Sequence, residues 1–460
     1  MAETDELVRT DDAARAVSEA EALREEVLEA LEAGDAARLA GLVRELHPAD
    51  LADLIEQIEP EHRVRLLELA GEELGDVLSE LDEGLREDLL ERLPAGTLAR
   101  ALRELETDDV VDIVEDLEPE QAEEVIAGLA EPERAAVRSS LAFPEDSAGR
   151  LMQRELVVAP ETWTVGQAID MLRAAEELPE QFYHVILVDP RMHPVGQVAL
   201  GRLLASRREV PLREIAEEDF WIFKATDSQE DVAYAFNKYH IISAPVVDEG
   251  GRVIGVLTID DVMSVLEEET EEDMLRLAGV GDESLTDTVT ETARQRQIWL
   301  FVNLVTAIVA SVVIDAFSDA IDAYVALAVL MPIVASMGGN AGTQSMTVAV
   351  RALATRDLTG ANSLRVIRRE LAVGAVNGLV FAVVMGAIAW LWFGDPMLGA
   401  VIGIAMILTL IAAALGGIVI PMALERLGVD PALASGPFVT TVTDVVSFLT
   451  FLGLASWILL

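Results

Sequence analysis

The sequence contains no cysteine among its 460 residues. Disulfide bonds, a thiolate zinc site and a cysteine nucleophile are therefore excluded. The first twelve residues are acidic and have no apolar core, so they do not form a secretory signal. No serine elbow, HExxH motif or P-loop occurs, and all five histidines precede the apolar C-terminal third of the chain. An enzyme is therefore the least favoured class of function.

Basic residues are scarce, and lysine occurs only at Lys224 and Lys238. The formal net charge is −48; the first 297 residues carry 72 acids against 27 basic residues, whereas residues 298–460 carry nine acids and six arginines. An acidic surface repels nucleic acid and disfavours it as a partner. Two interpretations of the excess stay open: a solvated, halophile-like surface suited to high salt, and acids placed in chosen clusters to hold cations.

Residues 18–140 carry apolar side chains at spacings of three and four, which predicts short amphipathic helices. An internal repeat is present, because the pattern of residues 50–61 returns 59 residues later at residues 109–120. Helix pairs of this kind stack into a superhelix that binds or shields something. We therefore predict a helical-repeat domain over residues 1–140.

Residues 145–269 alternate short β-branched runs with helical patterns. The order strand, tight turn, strand, helix occurs twice, first around Asp189-Pro190 and again around Gly250-Gly251. This predicts two similar α/β domains, over residues 145–206 and 207–269.

Residues 298–460 hold five long apolar stretches, each close to the length of about 20 residues that a membrane span needs. Eight arginines flank one side of these spans, and only aspartates flank the other. By the positive-inside rule, the N-terminal region lies in the cytoplasm and the C-terminus outside, in a multi-pass plasma-membrane protein.

Asp444 lies inside the last span, where an ionised carboxylate costs at least about 2.5 kcal/mol. Gly436, Thr440 and Asp444 are spaced by four and share one helix face. One charge with neutral oxygen ligands suits a hard cation such as Mg²⁺, which retains water. The alternative is an interfacial aspartate that is exposed to water.

A second motif, Gly338-Gly339-Asn340-Ala341-Gly342-Thr343-Gln344-Ser345, combines small residues with neutral polar ones. Close helix packing and direct ion contact are both consistent with it. The spans hold no second buried charge in the sequence pattern, which favours passive flow over ion-coupled transport.

The segments Met331–Ser345 and Asp430–Asp444 resemble the membrane motifs of the MgtE family of Mg²⁺ channels and transporters, and the resemblance covers nearly the whole chain. It implies a multidomain membrane protein: an α-helical superhelix N domain, an α/β tandem CBS (cystathionine-β-synthase-type) pair, a plug helix over residues 270–297, and a five-span α-helical transmembrane domain. It also implies a homodimer embedded in membrane lipid.

The resemblance implies a pore carboxylate at Asp444, with pore-lining positions at Thr440 and Gly436. Some members have Asn where this chain has Gly436, which leaves only a backbone carbonyl here. It implies that cytoplasmic Mg²⁺ closes the pore by bridging acids of the N domain, CBS pair and plug. These sensor acids would be Asp261, Glu267, Glu269, Glu272, Asp273, Asp108, Asp109 and Asp112. Ser264 falls where some members carry an Asp ligand.

CBS pairs in this family can bind ATP, and the Thr258-x-x-Asp261 pattern resembles the motif that contacts the ribose. The same pattern matches an ordinary helix cap, so both interpretations stay open. We expect a Mg²⁺ channel gated by cytoplasmic Mg²⁺. The alternatives are an ion-coupled Mg²⁺/Co²⁺ transporter and a membrane-anchored Mg²⁺ or nucleotide sensor.

Overall fold

The structure, a computed structural model, describes residues 22–103, 105–175, 178–179, 181–280 and 289–460. The chain divides into two compact units between Glu267 and Glu268. We call the part up to Glu267 the first unit and the part from Glu268 the membrane unit, and describe each by itself.

The first unit begins with ten helices around one continuous apolar core that runs from Val27 to Val137. Leucines at three- and four-residue spacing supply this core. The helices are α1 (22–33), α2 (Ala36–Val43), α3 (Pro48–Gln57), α4 (Pro60–Ala70), α5 (Leu74–Ser79), α6 (Glu83–Leu90), α7 (Ala95–Ala101), α8 (Thr107–Glu115), α9 (Pro119–Gly128) and α10 (Glu131–Ser140), with a 3₁₀ turn at Gly71–Glu73.

The predicted 59-residue repeat corresponds to two pairs of helices, α3 with α4 and α8 with α9. Pro48, Pro60 and Pro119 each lie in the first turn of a helix. Proline fits there because its missing N–H has no partner in the first turn. The helical repeat that the sequence predicts is therefore present.

Two three-stranded sheets follow, each with a parallel and then an antiparallel pairing. Separate apolar cores lie against the two sheets. The elements are α11 (Ala148–Leu151), β1 (Val158–Pro160), α12 (Val165–Ala174), β2 (His184–Val188), β3 (Pro194–Ala199), α13 (Leu200–Ala205), α14 (Leu212–Ile215), β4 (Phe223–Lys224), α15 (Gln229–Tyr239), β5 (Ser243–Val247), β6 (Val253–Thr258) and α16 (Ile259–Leu277).

The repeated order strand, turn, strand, helix is confirmed at β2-β3-α13 and β5-β6-α16. Matching aspartates close the two turns: the Asp189 carboxylate accepts the N–H groups of Arg191 and His193, and that of Asp248 accepts those of Gly250 and Arg252. The sequence analysis missed β1 and β4, which pair in parallel with β2 and β5. Two or three residues are too short to show the two-residue alternation of a strand.

Among its described residues, the membrane unit contains five helices long and apolar enough to cross a membrane, which agrees with the predicted number. α21 is the most enclosed, and its neighbours α19, α20 and α22 pack along it. The helices are α17 (Val289–Asp315), α18 (Ser318–Ala323), α19 (Ala326–Ala354), α20 (Ser363–Phe393), α21 (Pro396–Arg426) and α22 (Pro431–Leu459).

The predicted plug helix is described only in part. Residues 281–288 lie outside the described residues, as do residues 1–21 of the predicted N domain. The predicted boundary between residues 269 and 270 falls inside α16. These domain limits remain predictions.

Candidate cation pathway and sensor cluster

The face of α22 that carries Asp444 is only partly covered within the chain. Gly436 and Asp444 are half-buried, and Thr440 is exposed. Pro437 lies one residue after Gly436 within a continuous helix, and its carbonyl accepts the Thr441 hydroxyl at 2.6 Å. Proline lacks an N–H, so the carbonyl four residues earlier, that of Leu433, has no helical partner. This face thus offers one carboxylate and several neutral oxygens.

The neighbouring face of α22 is fully buried. Ser435, Val439, Thr443 and Ser447 are each at most 1% exposed, and they recur every four residues. The hydroxyls of Ser435 and Ser447 are buried without a hydrogen-bond partner. This face therefore holds α22 in the bundle by close packing rather than by polar bonds.

Gly338 and Gly342 of α19 make that packing possible. A Cβ at Gly338 would lie 2.7 Å from Ser447 Oγ, and one at Gly342 would lie 2.9 Å from the Thr443 and Val439 methyl groups. These distances are shorter than real Cβ contacts, so only glycine fits. Gly338 and Gly342 of the second motif are thus packing residues.

Most polar residues of α19 lie on its exposed side, whereas Ser345 is buried. Exposed side chains recur at three- and four-residue intervals and form what we call the α19 polar stripe: Ser336, Asn340, Thr343, Gln344 and Thr347. The Asn340 amide donates to the Ser336 hydroxyl at 3.5 Å. Polar groups at membrane depth are costly when lipid surrounds them. The stripe therefore needs protein or water against it.

Glu370 on α20 is a buried carboxylate that the sequence analysis missed. It is 8% exposed and accepts the hydroxyl of Ser345 at 3.2 Å. The expectation that the spans hold no second buried charge is therefore wrong. The uncharged stretch begins at residue 371, but α20 begins at Ser363, so Glu370 lies in its second or third turn.

In the first unit, carboxylates from three segments form a cluster at the start of α8. Asp108 is 8% exposed, and its Oδ1, like Glu106 Oε1, is buried without a hydrogen-bond partner. Asp261 at the start of α16 accepts the Thr258 hydroxyl at 2.6 Å and the Gln153 amide at 3.3 Å. Two of the predicted sensor regions thus converge.

Burial and mutual repulsion make these acids hard to ionise. Burial raises the pKa of Asp108 well above its usual range, and the charges of Asp261 and Asp109 add to this. Burial, followed by the charge of Asp261, raises the pKa of Asp109 to about 7. For the same main reason, burial, the pKa of Asp261 rises to about 6 and that of Glu106 to about 7. Like charges this close need a proton or a cation between them.

The carboxylates of this cluster are ligands of the chemical type that Mg²⁺ uses. Within the described ranges, no group of three or more His, Asp or Glu side chains is already arranged to hold a metal. Mg²⁺ keeps several waters and uses one or two carboxylates. The unpartnered oxygens of Asp108 and Glu106 match that requirement.

Glu155 was also missed. Its carboxylate accepts the hydroxyl of Thr107 at 2.6 Å and the Thr107 N–H at 3.2 Å. This contact fastens the start of α8 to the segment before β1, and places Asp108 beside Asp261. Nothing in the local sequence pattern marks Glu155, whereas Glu106 adjoins the predicted Asp108-Asp109 pair.

The remaining predicted sensors have other surroundings. The Asp112 carboxylate accepts a hydrogen bond from Nη1 of the buried Arg86 at 2.6 Å, and Asp116 forms an ion pair with the same arginine. Glu267 is exposed, and Glu269 and Asp273 are partly exposed.

Glu272 belongs to an ion-pair chain that ends at α22. It pairs with Arg276, and Arg276 Nη1 lies 3.1 Å from Asp430 Oδ2. Asp430 is the N-cap of α22 and accepts the Ala432 N–H at 2.8 Å. Within the membrane unit, the end of α16 is thus connected to the start of the helix that carries Asp444.

A narrow cleft between the two sheets contains Thr258, Tyr183 and His184. His184 Nδ1 and Ser243 Oγ are 2.7 Å apart across it. Its free volume is about 10 Å³, roughly the space of one water molecule. A nucleotide enters this cleft only if side chains such as Tyr183 move.

These features define a polytopic helical membrane protein that carries a helical-repeat domain and a CBS pair. A family model described as MgtE, divalent cation transporter, matches residues 331–454. The models for the MgtE intracellular N domain and the CBS domain match residues 46–146 and 212–268.

Two curated relatives named magnesium transporter MgtE are similar along most of their length. That of Thermus thermophilus is 36% identical over 320 residues, 68% of this chain and 70% of the relative. That of Bacillus subtilis is 33% identical over 312 residues, 68% of this chain and 69% of the relative. The chain belongs to the MgtE family, as the sequence motifs predicted.

A solved structure resembles about half of the chain. It is the cytosolic domain of the Mg²⁺ channel MgtE in complex with ATP, with a TM-score of 0.50 and 31% identity. The match covers 53% of this chain and 99% of that structure. The predicted fold class, with its N domain, CBS pair and five membrane helices, is confirmed.

Proposed function

We propose that the chain is a Mg²⁺ channel of the plasma membrane, with its N-terminal domains in the cytoplasm and its C-terminus outside. The observation that carries this is Asp444, a partly covered carboxylate within the membrane helix α22. The Thr440 hydroxyl, one turn earlier, and the Leu433 carbonyl, about three turns earlier, lie on the same face, which suits a cation that keeps its waters. Both curated relatives are named as magnesium transporters, and no enzymatic activity is proposed.

Two copies of the chain would enclose the pathway. The α19 polar stripe is exposed, and the face of Thr440 and Asp444 is only partly covered by the chain itself. A two-fold dimer would place these faces against a shared water-filled axis and remove them from lipid. Gly436 would then contribute its carbonyl, and Thr440 its hydroxyl, on the same side as Asp444.

Cytoplasmic Mg²⁺ would close the pathway by binding to the acidic cluster, which we define as the carboxylates of Glu106, Asp108, Asp109 and Asp261. Bound Mg²⁺ offsets repulsion among Asp108, Asp109 and Asp261, and its loss lets them separate. The ion pair between Arg276 and Asp430 supports this proposal, because it connects the end of α16 to α22. Glu267, Glu269, Glu272 and Asp273 lie along the same helix and remain candidate ligands.

ATP would bind at the CBS pair, with Thr258 and Asp261 near the ribose. The support is the ATP complex of the structural relative and the cleft that contains Thr258. Asp261 also belongs to the acidic cluster, so nucleotide and Mg²⁺ would influence each other there. We propose the domain limits 1–140, 145–206, 207–269, 270–297 and 298–460.

Ion-coupled transport is the second candidate, and Glu370 is the observation that favours it. Coupling commonly uses ionisable groups inside the membrane. Glu370 is such a group, and it lies on a different helix from Asp444.

The test is Mg²⁺ influx into proteoliposomes with no imposed Na⁺ or proton gradient. We expect wild-type flux at low internal Mg²⁺, and a loss of at least about a hundredfold in Asp444→Ala. Asp322→Asn, an exposed acid between α17 and α19, is the control and should conduct normally. Flux that appears only with an imposed gradient would favour the coupled transporter instead. Normal flux in Asp444→Ala would refute the assignment of Asp444.

A further inference from the structure

The contact between Ser345 and Glu370 joins α19 to α20 inside the membrane unit. Ser345 is 7% exposed and Glu370 is 8% exposed, so water does not compete strongly for their hydrogen bond. α20 packs mainly along α21 and meets α19 at few points. The hydrogen bond is therefore a specific connection between two helices that otherwise barely touch.

Ser345 is enclosed on its other side by α21. A Cβ at Gly417 would lie 2.7 Å from the Ser345 Cβ and 2.6 Å from the Gly342 carbonyl oxygen. One turn before Ser345, Gly342 packs against Thr443 of α22. The buried side of α19 is thus held by all three neighbouring helices at this level.

Helix geometry places the Ser345 side chain almost opposite the α19 polar stripe. At about 100° per residue, Thr343 and Thr347 project about 160° away from Ser345, and Asn340 about 140° away. A rotation of α19 that breaks the bond at Ser345 therefore turns the stripe by the same angle.

We propose that Glu370 is a positioning residue for cation passage: by accepting the Ser345 hydroxyl it fixes the rotation of α19 and so the orientation of Asn340, Thr343 and Thr347. This inference rests on the proposed function, because the stripe is taken to line the pathway. Glu370 itself does not touch the cation. The glutamate acts as an acceptor, and a glutamine has an acceptor oxygen in the same place.

The first test compares the ratio of Co²⁺ to Mg²⁺ flux in proteoliposomes. Ser345→Ala and Glu370→Ala should each change this ratio by at least about threefold, the effect of losing one buried hydrogen bond. The double variant should change it no further, because both remove the same bond. Glu370→Gln should keep the wild-type ratio and flux.

Two results would overturn the proposal. One is an unchanged ratio in Ser345→Ala. The other is a Glu370→Gln variant that loses flux as strongly as Asp444→Ala, since that would show that transport needs the charge of Glu370 rather than its acceptor oxygen.

A second test does not need transport, and it uses the absence of native cysteine. In a Thr347→Cys background, the rate of modification by a water-soluble thiol reagent should change several-fold when Ser345→Ala is added, and should not change with Glu370→Gln. An equal rate in all three backgrounds would refute the positioning role. If wild type does not conduct, the proposed function fails, while the thiol rates still decide whether Glu370 orients α19.

Discussion

The carboxylates of the two units have contrasting surroundings. In the first unit, Asp108, Asp109 and Asp261 crowd together, and burial and repulsion raise their pKa values. In the membrane unit, Asp444 lies on a helix face with hydroxyl and carbonyl oxygens, and close packing on the adjacent face holds it in place. The difference shows that burial and mutual repulsion raise the pKa of the acids in the first unit, whereas the single carboxylate of Asp444 is accompanied by neutral oxygens on its helix face.

The largest effect should come from removing the positively charged partner of a buried carboxylate in the first unit. Arg86→Met leaves the buried carboxylate of Asp116 without its partner, which costs about 3–5 kcal/mol. Hydrogen exchange in α6 and α8 of the full chain should rise markedly. Arg92→Met removes an exposed pair with Asp88 and should change little. Similar hydrogen-exchange rates in the two variants would contradict the expectation that the buried carboxylate needs its positively charged partner.

The next effect tests whether packing, not charge, holds the membrane carboxylate in place. In Gly342→Ala the new Cβ meets Thr443 and Val439 at 2.9 Å, so overpacking should cost about 1–3 kcal/mol. Gly339→Ala, three residues earlier, has open space and should gain roughly 0.5–1 kcal/mol from helix propensity. Thermal unfolding in detergent measures both. A melting temperature that rises in both variants would disprove the close contact.

The acidic cluster should also depend on pH. Its folded pKa values, about 6 for Asp261 and about 7 for Asp109 and Glu106, lie above the unfolded values near 4. Below the unfolded pKa these carboxylates are protonated in both states and cost no stability. As the pH rises from about 4 to 7, the unfolded state loses its protons more readily, so the free energy of unfolding falls.

Without divalent cations, proteolysis between α8 and β1 should therefore be faster at pH 8 than at pH 6. Mg²⁺ should restore protection at pH 8, and Asp108→Asn should reduce the pH dependence, whereas Asp88→Asn, at an exposed site, should not. Equal proteolysis at both pH values in the wild type would argue that the cluster carries no unrelieved charge.

The smallest effect is expected at Gly436. No atom lies within 4 Å of a Cβ built there, so Gly436→Ala fits without strain. If this position contributes only its carbonyl, Mg²⁺ flux should stay within about twofold of wild type, with stability raised by less than about 1 kcal/mol. A strong loss of flux would mean that the open space itself is needed by the passing ion.

Much of the fold follows from local patterns. The 59-residue repeat, the paired strand-turn-strand-helix units and the five apolar spans are each visible in the order of residues along the chain. Asp444 was found because a single charge interrupts an apolar run. Membership of the MgtE family followed from two contiguous motifs.

The remaining features depend on partners far along the chain. Arg86 meets Asp112 and Asp116 about 30 residues later, and Glu155 meets Thr107 48 residues earlier. Glu370 follows a run of arginines in the sequence, which suggests an exposed charge. Its buried position is evident only from the folded structure, where it accepts the hydroxyl of Ser345 on α19. No periodicity encodes such pairings, because they depend on how the helices and sheets pack.

The ion pair of Arg276 with the N-cap of α22 has a mechanical consequence. Asp444 is fourteen residues beyond Asp430, which places it about 20 Å along the helix axis from that end. A tilt of only about 3° about this end would move the carboxylate by about 1 Å. Mg²⁺ demands near-ideal octahedral geometry, directly or through its waters, so a displacement of this size would alter how well the carboxylate could hold the proposed ion. If Asp444 binds the cation as proposed, a small angular change at the Asp430 end of α22 would be enlarged into a displacement of the ion's ligand.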